Sequence, residues 1–399
     1  MKILYFHQHF STPSGSTGTR SYEFARSLVK NGHQVTIVCG SYWIARTVLS
    51  GKFIKGIRKG IVDGVDVIEL ELPYSNADGL LNRTILFFRY SVIGIRIALK
   101  YSYDLVFATS TPLTAGIPGI IAKLTRKKPF VFEVRDLWPE LPRAMGVVRN
   151  PVILKLMDIL ETVSYKYADR CIALAPGISE GIKSKYPRKK IAIIPNGSDL
   201  FRSDGFVKKQ GGEPLIAAFT GAHGQANGLD SVLDAAKYLK EQNVNNIQFQ
   251  FIGDGKQKPD LIKRAETEKL DNCVFLSPLS KRALFVYLYE KVDVGMMILD
   301  NIPAFYNGTS PNKFFDYISL GLPVINNYPG WLANLITSYE CGIVVAPGNA
   351  VAFAEALIRM RDNPESNQSM ADNARMLAKQ KYDRSLLADI FVDFLVAEC

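Results

Sequence analysis

No run of about 18 apolar residues occurs in this chain, so no transmembrane helix is expected. Cysteine is scarce. The five residues, at positions 39, 171, 273, 341 and 399, form no Cys-x-x-Cys pair and no zinc pattern. Such spacing fits a reducing compartment rather than a disulfide framework. No Asp-x-Asp pair is present to hold a divalent ion, so no metal site is expected. The glycines near the start do not form the Gly-x-Gly-x-x-Gly fingerprint of a dinucleotide site, and no RNA-binding motif appears. Met1-Lys2 leads straight into Ile3-Leu4-Tyr5-Phe6, which reads as a strand start and not as a signal peptide.

What is present is a globular composition over 399 residues, a natural length for two domains. Charge is unevenly placed. Residues 1–200 hold 28 Lys plus Arg and 15 Asp plus Glu, a net of +13; the whole chain is +10, leaving −3 for the rest. A basic half beside a near-neutral half suggests an anionic partner, membrane or nucleic acid. The cations concentrate in Lys52 to Lys59, Arg83 to Lys100 and Lys183 to Lys190. In the second of these, arginines alternate with Ile85, Leu86, Phe87, Phe88 and Ile93. That pattern suits either a domain helix with a basic face or a helix lying on an anionic bilayer.

The order of elements is α/β. Strands are expected at Lys2–Phe6, Gln34–Cys39, Asp104–Ala108, Phe130–Val134 and Cys171–Ala175, with helices between them. Ser11 to Arg20 is a Gly, Ser and Thr-rich loop after the first strand. Residues 208–213 read as a linker, and a second series of strands begins at Leu215–Phe219 and Ile247–Gly253. Thr309 to Pro329 (TSPNKFFDYISLGLPVINNYP) is the stretch that organises the chain. Its first half predicts a helix capped by Thr309 or Ser310, with Pro311 early in it, and Gly321 ends it before an apolar strand. The helix start and Lys313 offer backbone N–H groups and a cation to an anion. An ordinary αβ corner would read the same way.

This segment resembles the donor-site segment of family 4 glycosyltransferases, most closely those that build bacterial surface polysaccharides such as O-antigen and capsule. It is similar to N-acetyl-L-fucosamine transferases. Of the family's two acids, the first falls on Gly308 and the second on Asp316. The resemblance implies the GT-B fold: two Rossmann-like parallel-sheet domains facing across a cleft. Residues 1–200 would bind acceptor, and 201–379 would bind the nucleotide sugar. A helix at about 380–399 would cross back to the first domain.

It also implies the site. Arg135 stands where many relatives carry histidine, next to Asp136, and these two with Lys313 are the expected catalytic residues. Gly18, Gly221, His223, Gly253, Gly255, Lys256, Pro278, Leu279, Thr309, Ser310, Asn312 and Asp316 would bind the donor, Asp316 at the ribose hydroxyls. Gly15 and Arg20 would lie on the acceptor side. The arginine and lysine that neutralise the diphosphate in relatives are absent; His223 and Asn227 sit near their positions.

The implied activity is metal-independent, retaining transfer of a sugar, an N-acetylated amino sugar, from a UDP-sugar to an undecaprenyl-diphosphate-linked saccharide. No cofactor and no nucleic acid are implied. The implied place is the cytoplasmic face of the bacterial inner membrane, as a peripheral protein on an anionic surface. Two rivals are a non-hydrolysing UDP-sugar epimerase and a non-catalytic scaffold of a polysaccharide assembly complex, the latter suggested by Gly308.

Overall fold

The computed structural model describes residues 1–15, 17–42, 46–74, 78–200, 205–209 and 212–397. Residue 16 of the early loop, 210–211 of the expected linker, and 398–399 of the expected crossing helix lie outside these. Contacts divide the chain into two units. The first holds Met1–Pro195, Gly308–Ser310 and the chain from Ser385 onward; the second holds Asn196–Asn307 and Pro311–Arg384.

Among the described residues the first unit carries eight strands: β1 (Lys2–Phe6), β2 (Gln34–Tyr42), β3 (Ile57–Val62), β4 (Val65–Tyr74), β5 (Leu105–Thr109), β6 (Phe130–Val134), β7 (Arg170–Ala173) and β8 (Lys190–Ile193). Their order is β3-β4-β2-β1-β5-β6-β7-β8. All pair in parallel except β3 with β4. β1, β5 and β6 are apolar almost throughout because both faces of the sheet are covered. The antiparallel hairpin turns at Asp63-Gly64, both with positive φ, as a two-residue Asp-Gly turn requires. β3 takes up the end of the basic run Lys52 to Lys59. Arg58 pairs with Glu69 at 2.8 Å and Lys59 donates to the Tyr101 hydroxyl, so this run is a partly neutralised edge strand.

The second unit's sheet has six strands: β9 (Leu215–Thr220), β10 (Ile247–Ile252), β11 (Cys273–Leu276), β12 (Val294–Met297), β13 (Val324–Asn326) and β14 (Gly342–Val344). The order is β11-β10-β9-β12-β13-β14, all parallel. In both sheets the strand order reverses beside the first strand, between β1 and β5 and between β9 and β12. Parallel α/β sheets hold ligands at the carboxyl ends of strands at such a reversal. The loops after β1, β5 and β9 are therefore placed to form a site.

The last helix, Arg384–Val396, returns into the core of the first unit. Phe391 stacks on Phe24 with ring centres 4.4 Å apart and tilts on Phe107 at 5.2 Å. Leu387, Val392 and Leu395 share that cluster.

Candidate functional site

The two glycine loops of the second unit are built against each other. A Cβ on Gly253 would lie 1.9 Å from the Gly221 carbonyl oxygen, and one on Gly255 would lie 2.5 Å from that of His223. Both positions also have φ in the region that favours glycine. Gly221 donates to Ile252, His223 donates to Asp254, and Gln257 donates back to His223. Glycine is thus demanded at 253 and 255 by loop–loop closure. Lys258 is likewise committed, its Nζ donating to the Gly253 and Leu276 carbonyls at 2.8 Å. Lys256 stays exposed at the turn.

His223 does not present its ring. The side chain is fully buried among Phe219, Phe251 and Phe275, and among the described residues neither ring nitrogen has a hydrogen-bond partner. Burial, assisted by the charge of Lys258, holds its pKa down at about 4, so it is neutral. A buried neutral ring cannot replace a missing cation. The side-chain amine beside this loop is that of Lys313. Its Nζ donates to Asn227 Oδ1 at 3.0 Å, sits 3.8 Å from the centre of the Phe219 ring, and passes beside Gly221. Loss of water lowers its pKa to about 7.

The helix that carries Lys313 is Asn312–Ser319. Neither Thr309 nor Ser310 caps it. Pro311 occupies the cap position with no side-chain bond, and Thr309 and Ser310 group with the first unit. The apolar face holds Phe314, Phe315 and Ile318 in the interior. Tyr317 points beneath the sheet end, where its hydroxyl accepts from Thr220 N–H at 3.0 Å. Asp316 is buried, and Lys281 Nζ donates to both its oxygens at 2.6 Å while Ser198 Oγ donates at 2.9 Å. Lys281 and Ser198 were not anticipated. Lys281 opens the helix Lys281–Lys291 behind the Ser280 cap, and nothing local marks it. Asn312 and Leu279 are half-buried and Pro278 is exposed.

In the first unit, His7 follows β1 and is buried. Its Nδ1 lies 2.7 Å from Ser21 Oγ, and its Nε2 lies 3.5 Å from Arg135 Nη1. Burial first, then the Arg135 charge, lowers its pKa well below the usual value. The neutral ring therefore donates from Nδ1 to Ser21 and accepts at Nε2 from Arg135. The Arg135 N–H is fixed by Ser110 Oγ at 2.8 Å, at the end of β5. Beside it, desolvation raises the pKa of Asp136 and the Arg135 charge opposes the rise. His7, Ser110, Arg135 and Asp136 thus meet at the strand ends of the reversal point.

Arg20 is not at that surface. Its Nε and Nη2 bind Glu133 Oε2 at 2.9 and 2.8 Å, and Nη1 and Nη2 bind the Pro195 and Ile194 carbonyls. Both partners are almost fully buried. The geometry makes Arg20 a structural tie and corrects the expected acceptor role. Removing one partner of a buried pair leaves the other charge unpaired, at a cost of about 3–5 kcal/mol. Arg20→Met should therefore lower the denaturant midpoint sharply. Normal stability with lost activity would return Arg20 to the acceptor side. Gly15 is buried and its N–H donates to Thr12, while Gly18 is exposed just before the helix.

Among the described residues, no group of three His, Cys, Asp or Glu is placed to hold a metal, and no helix is long and apolar enough to cross a membrane.

Residues 15–197 match the family described as glycosyl transferase 4-like domain, and residues 204–377 match glycosyl transferases group 1. A curated relative, alpha-D-kanosaminyltransferase of Streptomyces kanamyceticus, is 25% identical over 174 residues; the match spans 44% of this chain and 43% of that protein. Solved structures show the same fold at low identity. Sucrose-phosphate synthase from Thermosynechococcus elongatus superposes with a TM-score of 0.74 at 16% identity, each chain covered fully. Anabaena HepE in complex with UDP-glucose gives 0.67 at 15%, also over both full chains. WaaG, a glycosyltransferase involved in lipopolysaccharide biosynthesis, gives 0.67 at 15%, over 99% of this chain and all of that one. The two matched segments and the shared two-domain architecture give this chain the GT-B fold, with its halves similar to the glycosyl transferase 4-like domain and glycosyl transferases group 1 families.

Proposed function

We propose that the protein transfers a sugar, an N-acetylated amino sugar, from a UDP-sugar to an undecaprenyl-diphosphate-linked saccharide in bacterial polysaccharide synthesis. The observation that carries this reading is the cluster at the end of β9. Lys313 lies over Phe219 beside the Gly221 loop, and Asp316 lies three residues along the same helix. HepE, similar in fold, was solved with UDP-glucose, which supports a UDP-sugar as the ligand.

The chemistry follows from charge. The leaving diphosphate gathers negative charge as the anomeric bond breaks. A fixed cation and backbone N–H groups stabilise that charge without reorganising. Lys313 and the N–H groups of Ala222 and Gly224 are the proposed stabilisers, since those of Gly221 and His223 are spent on Ile252 and Asp254. Asp316 would accept from the ribose hydroxyls, its short carboxylate held in place by Lys281 and Ser198. Arg135 and Asp136 are proposed contacts of the transferring sugar. Departure of the diphosphate and entry of the acceptor hydroxyl on the same face would retain the anomeric configuration.

A lipid-linked acceptor places the protein on the cytoplasmic face of the membrane. Helix Leu80–Lys100 has four cations and no acid. Phe88 is 64% exposed on it, whereas Phe87 turns inward to stack on Tyr74.

Titration calorimetry with UDP tests the nucleotide site. A hydrogen bond to a charged group contributes roughly 1.5–3 kcal/mol, so Asp316→Ala should weaken UDP about tenfold or more. Lys281→Met should weaken it in part, and the double variant should add little further loss. Unchanged affinity in Asp316→Ala removes the ribose role. Release of UDP only when a lipid-linked acceptor is present separates transfer from epimerisation and from a scaffold.

A further inference from the structure

We propose that the outward face of helix Pro151–Tyr167, with the loop before it, docks on an anionic bilayer. The helix is pinned at its start, where Asn150 Oδ1 accepts from the N–H groups of Val152 and Ile153. Its inner face buries Leu154, Glu161, Ser164 and Tyr165. Its outer face is apolar where a soluble helix is polar. Val152 is 65% exposed and Leu156 61%, and Ile159 completes an i, i+4, i+7 stripe with Ile153 beside it. Val147, in the loop before the helix, is exposed as well. A contiguous exposed apolar stripe marks an interaction surface.

The surroundings identify the partner's charge. Arg143, Arg149, Lys155 and Lys166 are exposed on or next to the stripe. The basic segment Lys183 to Lys190 is held against the same helix, because Lys185 Nζ bonds Asp158 at 2.9 Å and Glu161 at 2.5 Å. Those two acids are thereby consumed, while Lys183, Arg188 and Lys190 remain exposed. An apolar stripe rimmed by cations fits a surface that is apolar below and anionic at its rim, as an anionic bilayer is. A second copy of this face would bring like charges together.

Position adds a consequence. The helix follows β6, so its first turns stand at the carboxyl end of the sheet, as Arg135 and Asp136 do. Helices Leu80–Lys100, Ile117–Arg126 and Pro151–Tyr167 pack side by side in that order. The outer stripe of Leu80–Lys100 (Leu81, Ile85, Phe88) also begins at its first turns. Docking along both would hold this strand end at the bilayer, where a saccharide on a lipid carrier is presented. That last link rests on the proposed lipid-linked acceptor; the docking face itself does not.

Co-sedimentation of the full chain with vesicles tests the face. One set contains phosphatidylglycerol and phosphatidylcholine, the other phosphatidylcholine alone. The wild type should bind the anionic set, bind the neutral set at least tenfold less, and be released by high salt. The triple variant Val152→Ser, Leu156→Ser and Ile159→Ser should lose binding at least tenfold with an unchanged melting curve, since these side chains are exposed. Leu156→Trp should show a blue-shifted emission on anionic vesicles only. Wild-type binding by the triple variant, or an unshifted tryptophan, overturns the proposal. So does a wild-type dimer that the triple variant disperses without any vesicle binding. UDP release with a detergent-solubilised acceptor is measured on the same samples. Failure there with intact vesicle binding strikes the transfer reading and leaves the docking face standing.

Discussion

Lys313→Met is expected to lower donor turnover by about 10²–10³-fold and to abolish a pH dependence of UDP binding centred near 7. The sign follows from the geometry. Burial over Phe219 and beside Gly221 leaves the ammonium short of water, and its pKa falls to about 7. An arriving diphosphate favours the charged form. Below pH 7 the cation is already present, and Lys313 adds no further pH dependence. Above pH 7 binding must draw a proton from solution, so affinity falls as pH rises. Calorimetry at pH 8 in two buffers of different ionisation enthalpy should show proton uptake by the wild type and none by Lys313→Met. Lys313→Arg keeps its charge throughout and should bind UDP without the slope. Stability carries the same signature in reverse. Between the lowered folded value and the ordinary unfolded value, the unfolded chain binds more protons, so wild-type stability rises with pH across that window. The methionine variant should lack the rise. Equal proton uptake in Lys313→Met would assign the titration to another group and remove Lys313 from the diphosphate.

What the chain discloses before folding is what depends on neighbours in sequence. The apolar runs Lys2–Phe6 and Phe130–Val134 are strands with those bounds because parallel strands covered on both faces need no alternation. The Asp63-Gly64 turn separates two strands because its backbone demand is local. Roles set by distant partners are not legible in this way. Arg20 looked like a loop cation, yet its partner Glu133 lies 113 residues away and draws the guanidinium inside. His223 stood near a missing cation's position, but three phenylalanines from three different strands enclose it. Gly253 and Gly255 showed that a side chain was unwelcome, and only the fold shows that a neighbouring loop excludes it. Lys281 carried no signal, because its meaning arises only when its helix approaches Asp316.

Arg135→Ala is expected to cut turnover by about 10²–10³-fold while leaving UDP affinity within about twofold. The separation is the informative part. Arg135 belongs to the first unit, where its backbone is fixed by Ser110 and its guanidinium meets the neutral His7 ring. The proposed nucleotide cluster of Lys313, Asn227 and Asp316 lies in the second unit and makes its own contacts. A residue that acts on the transferring sugar affects the rate, and one that holds the nucleotide affects the binding constant. Arg135→Lys should recover part of the rate, since it restores charge but not the planar fork that can serve His7 and substrate together. His7 provides a control. It is kept neutral chiefly by burial, so it should stay neutral in Arg135→Ala, with its Nδ1–H still on Ser21. NMR of the ring nitrogens reports that state directly. Loss of rate with an unchanged His7 spectrum assigns the effect to the guanidinium itself. Normal turnover with acceptor present would remove Arg135 from the reaction, and a matching loss of UDP affinity would move it to the nucleotide.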